Sequence, residues 1–228
     1  MTPHIHLVVP GDKHTTLQFA VEHWIHSAQT AIEEHGAFYV ALSGGSTPKA
    51  IYEALSKRTD LDWSKVYLFW SDERSVPPTD PESNYHMAME AGLKTLPILH
   101  IFRMDPGAPP ENYEITIRRM LGNHPFDLIM LGMGPDGHTA SLFPDTEALK
   151  EEKKWVVKNH VPQKHTDRIT MTFPCLNRAK QTVFYVIGPD KKEKLTEILS
   201  GTTHYPASLV GTPTHPALWI ADKEAAPS

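Results

Sequence analysis

The chain has 228 residues, an apolar fraction of 40% and a formal net charge of −5. This length allows one large domain or two small ones, with enough apolar side chains for a sizeable core. The acidic balance argues against a general nucleic-acid binder and against a protein of anionic membrane surfaces.

The cysteine content and the hydropathy pattern indicate the compartment. A single cysteine, Cys175, excludes an intramolecular disulfide and any metal site built from several cysteines. The first 30 residues lack the basic and apolar regions of a signal peptide, and no run approaches the 18 apolar residues of a membrane span. We therefore expect a cytoplasmic protein without a membrane partner.

Short apolar runs of strand type alternate with helical patterns along the whole chain. Strands are predicted at 5–9, 38–42, 66–70, 126–131, 155–158, 168–173, 183–187 and 218–221. Helices are predicted at 15–34, 48–57, 85–93, 112–121, 175–179 and 191–199. Several strands are apolar throughout, as in a parallel sheet that is buried on both faces. The fold class is thus predicted as α/β: one domain over residues 1–228, with a doubly wound, mostly parallel, Rossmann-like sheet and helices on both faces.

The segment after the second strand is rich in glycine and hydroxyl groups. Gly44 and Gly45 let the backbone turn sharply and approach a ligand, and Ser46 or Thr47 is expected to cap the following helix. Free N–H groups at a helix start bind phosphate well. The spacing of a Walker loop is absent, and an ordinary strand–helix turn remains the alternative.

The segment after the third strand carries charge. Asp72, Glu73 and Arg74 could supply a base, an anion clamp or a surface ion pair. Ser83 is expected to cap a helix that folds back over this segment.

The segment after the fourth predicted strand contains three glycines with the spacing of a dinucleotide-binding loop. We reject that function, because Pro144 interrupts the following helix and no acidic residue ends the next strand. The loop instead offers His138, two residues after Asp136. A histidine is a good general base near neutral pH, and a carboxylate can fix its tautomer. A surface or core histidine is the alternative.

Other candidate ligand residues carry weaker signals. Arg168 and Lys191 begin predicted elements and could each face a phosphate or only solvent. The histidine pairs at 4/6 and 23/26 lack companion carboxylates or cysteines, so no metal site is predicted.

Together these motifs are similar to those of the 6-phosphogluconolactonase subfamily within the glucosamine/galactosamine-6-phosphate isomerase family. The resemblance covers nearly the whole chain. It depends on ALSGGSTP at 41–48, FWSDERSVP at 69–77, SNY at 83–85, LGMGPDGHTASLFP at 131–144 and PASLV at 206–210.

The resemblance implies an enzyme that hydrolyses 6-phospho-D-glucono-1,5-lactone to 6-phospho-D-gluconate in the oxidative pentose phosphate pathway. It implies that His138 activates water, that Asp136 orients His138, and that Arg74 assists at the carbonyl oxygen. The implied binding residues for the sugar phosphate are Gly44, Gly45, Ser46, Thr47, Asp72, Arg168 and Lys191. Neither a cofactor nor a metal is implied; the partner is a small phosphosugar lactone and not a nucleic acid. The oligomeric state stays open, with a monomer among the options.

Two alternatives compete with this function. An isomerase or deaminase of amino-sugar 6-phosphates would use Asp72 as a base on carbon, but such enzymes carry a tyrosine-containing segment where this chain has Arg74 to Pro77. They also carry an asparagine and a glutamate after the position of His138, where this chain has Thr139 to Pro144. A sugar-phosphate-sensing regulator ranks last, because one acidic α/β domain uses the length that a DNA-binding module would need.

Overall fold

The computed structural model describes residues 4–201 and 204–227. Its strands are β1 (Ile5–Val8), β2 (Phe38–Leu42), β3 (Val66–Trp70), β4 (Asp72–Arg74), β5 (His100–Ile101), β6 (Leu128–Leu131), β7 (Val156–Val161), β8 (Thr166–Met171), β9 (Thr182–Val186) and β10 (Ala217–Ala221). Its α-helices are α1 (Lys13–His35), α2 (Ser46–Leu55), α3 (Asn84–Glu90), α4 (Pro110–Leu121), α5 (Phe173–Leu176) and α6 (Lys192–Ser200).

The strands divide into two sheets. Within the described residues the main sheet has seven strands in the order β1-β10-β9-β6-β2-β3-β5, and every neighbouring pair is parallel. Its central strands are buried throughout and almost wholly apolar, as expected for strands covered on both faces. The predicted α/β class with a mostly parallel sheet is therefore confirmed.

A small sheet was not expected. Within the described residues it has three antiparallel strands in the order β4-β8-β7. The apolar runs predicted at 155–158 and 168–173 belong to this small sheet and not to the main one. Its third strand, β4, consists only of charged residues and therefore has no apolar pattern that could reveal it. The two-residue strand β5 was also missed, being too short for any periodicity.

Local side-chain chemistry sets the ends of the longest helix. The Asp12 carboxylate accepts a hydrogen bond from the backbone N–H of Thr15 at 2.9 Å, so α1 starts earlier than its apolar pattern does. Gly36 ends the helix in the left-handed conformation. Trp24 and Ala28 lie on the buried face of α1 and join the core that covers the main sheet.

The connections place one crevice at the carboxyl edge of the main sheet. From β2 the chain continues through α2 to β3 on one side, whereas from β6 it continues to β9 on the other side. β2 and β6 are neighbours, so the segments that follow them diverge and leave a crevice between them. Within the described ranges, no helix is long and apolar enough to cross a membrane.

Candidate active site

A cavity of about 180 Å³ lies at this crevice. Its lining comes from the loops after β2 and β6, from β4 and β8, and from the start of α3. The lining residues are Ser43, Gly44, Gly45, Asp72, Arg74, Asn84, Gly132, Met133, Gly134, His138, Ala140 and Arg168. Six of the residues predicted for the site thus meet here: Gly44, Gly45, Asp72, Arg74, His138 and Arg168.

His138 is held by its neighbour in the loop after β6. Its Nδ1 lies 2.5 Å from Oδ1 of Asp136, and the same oxygen accepts the backbone N–H of His138 at 3.2 Å. A carboxylate can only accept, so Nδ1 carries the proton and Nε2 is the nitrogen with a free lone pair. Burial raises the pKa of Asp136, but its hydrogen bonds and its electrostatic attraction to His138 outweigh this and lower it overall.

The histidine ring is further restrained by packing. The ring of Phe143 stacks on it with a centroid distance of 3.9 Å. On the loop side, a Cβ atom at Gly134 would lie 2.1 Å from Nδ1 of His138, closer than any real contact. Gly134 is therefore required for the ring to occupy this position. A histidine fixed in tautomer and orientation is suited to proton transfer.

A buried tyrosine of α2 holds the loop after β2 through hydrogen bonds to its backbone. The hydroxyl of Tyr52 donates to the carbonyl oxygen of Ser43 at 2.8 Å and accepts the backbone N–H of Ser43 at 3.0 Å. The expectation that Ser46 or Thr47 caps α2 is wrong. Gly45 is the N-cap, at a φ of 104°, and within the described residues no side chain caps the helix. The start of α2 thus keeps free backbone N–H groups that could donate hydrogen bonds to an anion.

Asp72 is a buried carboxylate whose two oxygens are both engaged. Its Oδ2 accepts the hydroxyl of Ser141 at 2.6 Å, and its Oδ1 accepts the side-chain amide of Asn84 at 3.2 Å. The same amide group donates to the carbonyl oxygen of Asp72 at 3.0 Å. Asp72 is thus fixed at the cavity wall by two residues for which the sequence predicted no such role.

Two arginines stand side by side in the small sheet. Arg74 of β4 and Arg168 of β8 are direct cross-strand partners, so their side chains leave the same face. The Nε atoms of both are buried and lack a hydrogen-bond partner within residues 4–201 and 204–227. Burial and the charge of Arg74 lower the pKa of Arg168, against the opposing effect of Asp72. Two cations with unpartnered donors at one cavity favour an anionic ligand.

Three predicted phosphate residues do not line this cavity. Ser46 and Thr47 form the first turn of α2 next to the cavity residue Gly45. Lys191 lies beyond β9, and its amine pairs with Asp190 at 3.1 Å. Their assignment to the phosphate stays a prediction.

The sequence missed one side chain of the cavity wall in particular. Asn84 was placed only at the start of a helix, and the structure confirms Ser83 as the cap of that helix, α3. Its contact with Asp72 spans 12 residues and has no local signature. Its position directly after a predicted cap was the one available signal.

Fold and cavity together define an α/β protein with a cationic pocket and a histidine–aspartate pair at the carboxyl edge of a parallel sheet. Residues 11–220 match the family model described as glucosamine-6-phosphate isomerases/6-phosphogluconolactonase. The chain belongs to this family.

Individual relatives and solved structures point to one branch of it. A curated 6-phosphogluconolactonase of Chlamydia trachomatis is 42% identical over 226 residues, with 96% of this chain and 88% of the relative covered. The crystal structure of 6-phosphogluconolactonase from Thermotoga maritima has a TM-score of 0.82 and 31% identity, covering 96% of this chain and 99% of the other. The 6-phosphogluconolactonase from Trypanosoma cruzi has a TM-score of 0.86 and 26% identity, covering 99% and 97%. These similarities place the chain in the lactonase branch of the family.

Proposed function

We propose that this protein is a hydrolase that converts 6-phospho-D-glucono-1,5-lactone to 6-phospho-D-gluconate, which is the lactone-opening step of the oxidative pentose phosphate pathway. The observation that carries the proposal is that His138, which is hydrogen-bonded to Asp136, lines a cavity that also presents Arg74 and Arg168. A δ-lactone is a reactive ester, so a positioned water, one base and a site for the oxyanion are sufficient for its hydrolysis.

The first step uses His138 as the general base. With the Nδ1 proton held by Asp136, Nε2 accepts a proton from water while the water oxygen attacks the lactone carbonyl carbon. The resulting imidazolium is stabilised by the adjacent carboxylate. Such assistance accelerates reactions by about 10²- to 10⁴-fold.

The second step opens the ring. Negative charge that develops on the carbonyl oxygen is stabilised by the guanidinium of Arg74. The bond between the carbonyl carbon and the ring oxygen then breaks, and the ring oxygen takes the proton back from His138. The products are the carboxylic acid, which ionises, and the free hydroxyl.

The remaining residues bind the substrate. Gly44, Gly45, Ser46 and Thr47 offer backbone and hydroxyl donors to the phosphate, with Arg168 and Lys191 as its cations. Asp72 contacts the sugar hydroxyls. The 42% identity to a curated 6-phosphogluconolactonase supports hydrolysis over the isomerase or deaminase reaction.

The direct test is hydrolysis of freshly generated phosphogluconolactone, corrected for spontaneous ring opening. We expect enzyme-dependent acid release that is unaffected by EDTA. A parallel assay with glucosamine 6-phosphate should show no ammonia release. If the amino sugar reacted and the lactone did not, the proposal would be replaced by the deaminase alternative.

We also propose that the chain acts as one domain in the cytoplasm. The main-sheet loops and the small sheet contribute to the same cavity, which supports one functional unit. The lone, buried Cys175 is compatible with a reducing compartment.

A further inference from the structure

Glu73 stands between two cavity residues of β4 but does not line the cavity itself. Successive side chains of a strand point to opposite faces, so Glu73 points away from the face that presents Asp72 and Arg74. It is only 2% exposed. A buried carboxylate is costly unless donors surround it.

The donors around Glu73 come from its own strand end and from the start of α3. Its Oε1 accepts the backbone N–H groups of Arg74 at 2.8 Å and of Asn84 at 2.7 Å. Its Oε2 accepts the hydroxyl of Ser83 and the backbone N–H of Tyr85, both at 2.9 Å. Hydrogen bonds to a carboxylate are stronger than neutral ones, and the start of a helix favours negative charge.

These contacts close the loop between β4 and α3 at its base. Across this loop, the guanidinium of Arg74 donates to the carbonyl oxygen of Glu82. Asn84, fixed through its own N–H, reaches the carboxylate of Asp72. One buried carboxylate thus sets the relative positions of Arg74, Asn84 and Asp72.

We propose that Glu73 is a positioning residue that aligns Arg74 and Asn84 for the reaction without touching the substrate. Its catalytic consequence rests on the function proposed above. In Glu73→Gln one oxygen becomes an NH₂ group, which cannot accept from the backbone N–H that faces it, so at least one hydrogen bond is lost. A small displacement of reacting groups costs up to about 100-fold in rate.

The first experiment is a double-mutant cycle on folded protein, with circular dichroism used to check the fold. We expect Glu73→Gln to lower kcat by about 10- to 100-fold, with little change in KM. If Glu73 acts through Arg74, the same substitution in an Arg74→Ala background should cost much less. The control is Glu33→Gln, the same chemical change at an exposed site on α1, which should keep wild-type kcat. Wild-type kcat in Glu73→Gln, or full additivity with Arg74→Ala, would overturn the proposal.

A second readout does not depend on catalysis. Hydrogen exchange of the Asn84 and Tyr85 amides should accelerate in Glu73→Gln while the main sheet stays protected; unchanged exchange would refute the positioning role. An inactive wild type would refute the proposed function alone, because the exchange result still decides the role of Glu73.

If Glu73→Gln does not fold, Ser83→Ala removes one donor and should lower kcat several-fold, whereas an unchanged kcat would count against the proposal.

Discussion

At the scale of single residues, the site consists of side chains whose conformations are restricted by hydrogen bonds and packing. His138 is held by Asp136 on one edge and by Phe143 on one face. Asp72 is held by Ser141 and Asn84. The orientation of each group is set before any ligand binds, so little reorganisation is needed during the reaction.

Replacing the histidine tests the base directly. We expect His138→Ala to lower kcat by at least about 100-fold, because general-base assistance is lost while the cationic pocket remains. Binding of 6-phosphogluconate, measured by calorimetry, should change little. Wild-type turnover in this variant would exclude His138 as the base.

Adding one methyl group tests the close approach of two segments. A Cβ atom at Gly44 would lie 1.9 Å from Oδ1 of Asn84, so Gly44→Ala must displace the loop after β2 or the start of α3. We expect a rise in KM and a loss of stability of about 1–3 kcal/mol, as for overpacking. Urea unfolding and steady-state kinetics measure the two effects, and unchanged values of both would contradict the described contact.

At the scale of elements, the loops of the site are supported by groups that never reach the cavity. Tyr52 of α2 binds both backbone groups of Ser43, and its burial raises the pKa of its hydroxyl. The hydroxyl of Tyr113 in α4 likewise accepts the N–H of Trp70 at 2.9 Å, at the end of β3. Helices on the faces of the sheet thus fix the strand ends from which the site residues emerge.

Removing the hydroxyl of Tyr52 tests whether this group stabilises the loop after β2 or takes part in the reaction. Tyr52→Phe leaves the buried N–H and carbonyl of Ser43 without their partner, at a cost of about 1–3 kcal/mol in the free energy of unfolding. We expect a higher KM as the loop loosens, with kcat nearly unchanged. Chemical denaturation and kinetics provide the measurements. A large loss of kcat with no change in stability would instead indicate that the hydroxyl acts in the reaction.

The sequence could predict elements whose cause is local. Every described strand of the main sheet except the two-residue β5 is visible because it lies in a mainly apolar run, and His138 with Asp136 is visible because the pair lies two residues apart. The role of β4 could not be predicted, because Glu73 finds three of its four donors in residues 10 to 12 positions further on. The contact between Asp72 and Ser141 spans 69 residues, so only the fold brings it about.

At the scale of the whole molecule, charge is distributed unevenly. The chain carries a formal net charge of −5, yet the cavity presents Arg74 and Arg168 on one face of the small sheet. A pocket with two arginines in a chain of net negative charge favours a small anion over a large polyanion.

Ligand binding should therefore raise the stability of the entire fold. At a 6-phosphogluconate concentration of 100 times Kd, we expect a gain of about 2.7 kcal/mol in the free energy of unfolding. Thermal unfolding with and without the ligand measures it. Arg168→Ala should reduce the shift, whereas Lys150→Ala, at an exposed lysine, should not. Equal shifts in Arg168→Ala and wild type would contradict the pocket assignment.

The cross-strand pairing of Arg74 and Arg168 also has a consequence for anyone who handles the protein. Like charges directly opposite each other in a sheet repel, and any compact dianion relieves that repulsion. Phosphate or sulfate in a storage buffer should thus act as a stabiliser and, in an assay, as a competitive inhibitor. A hydrolysis rate measured in phosphate buffer would therefore depend on the competition between phosphate and substrate for the pocket as well as on the rate of ring opening.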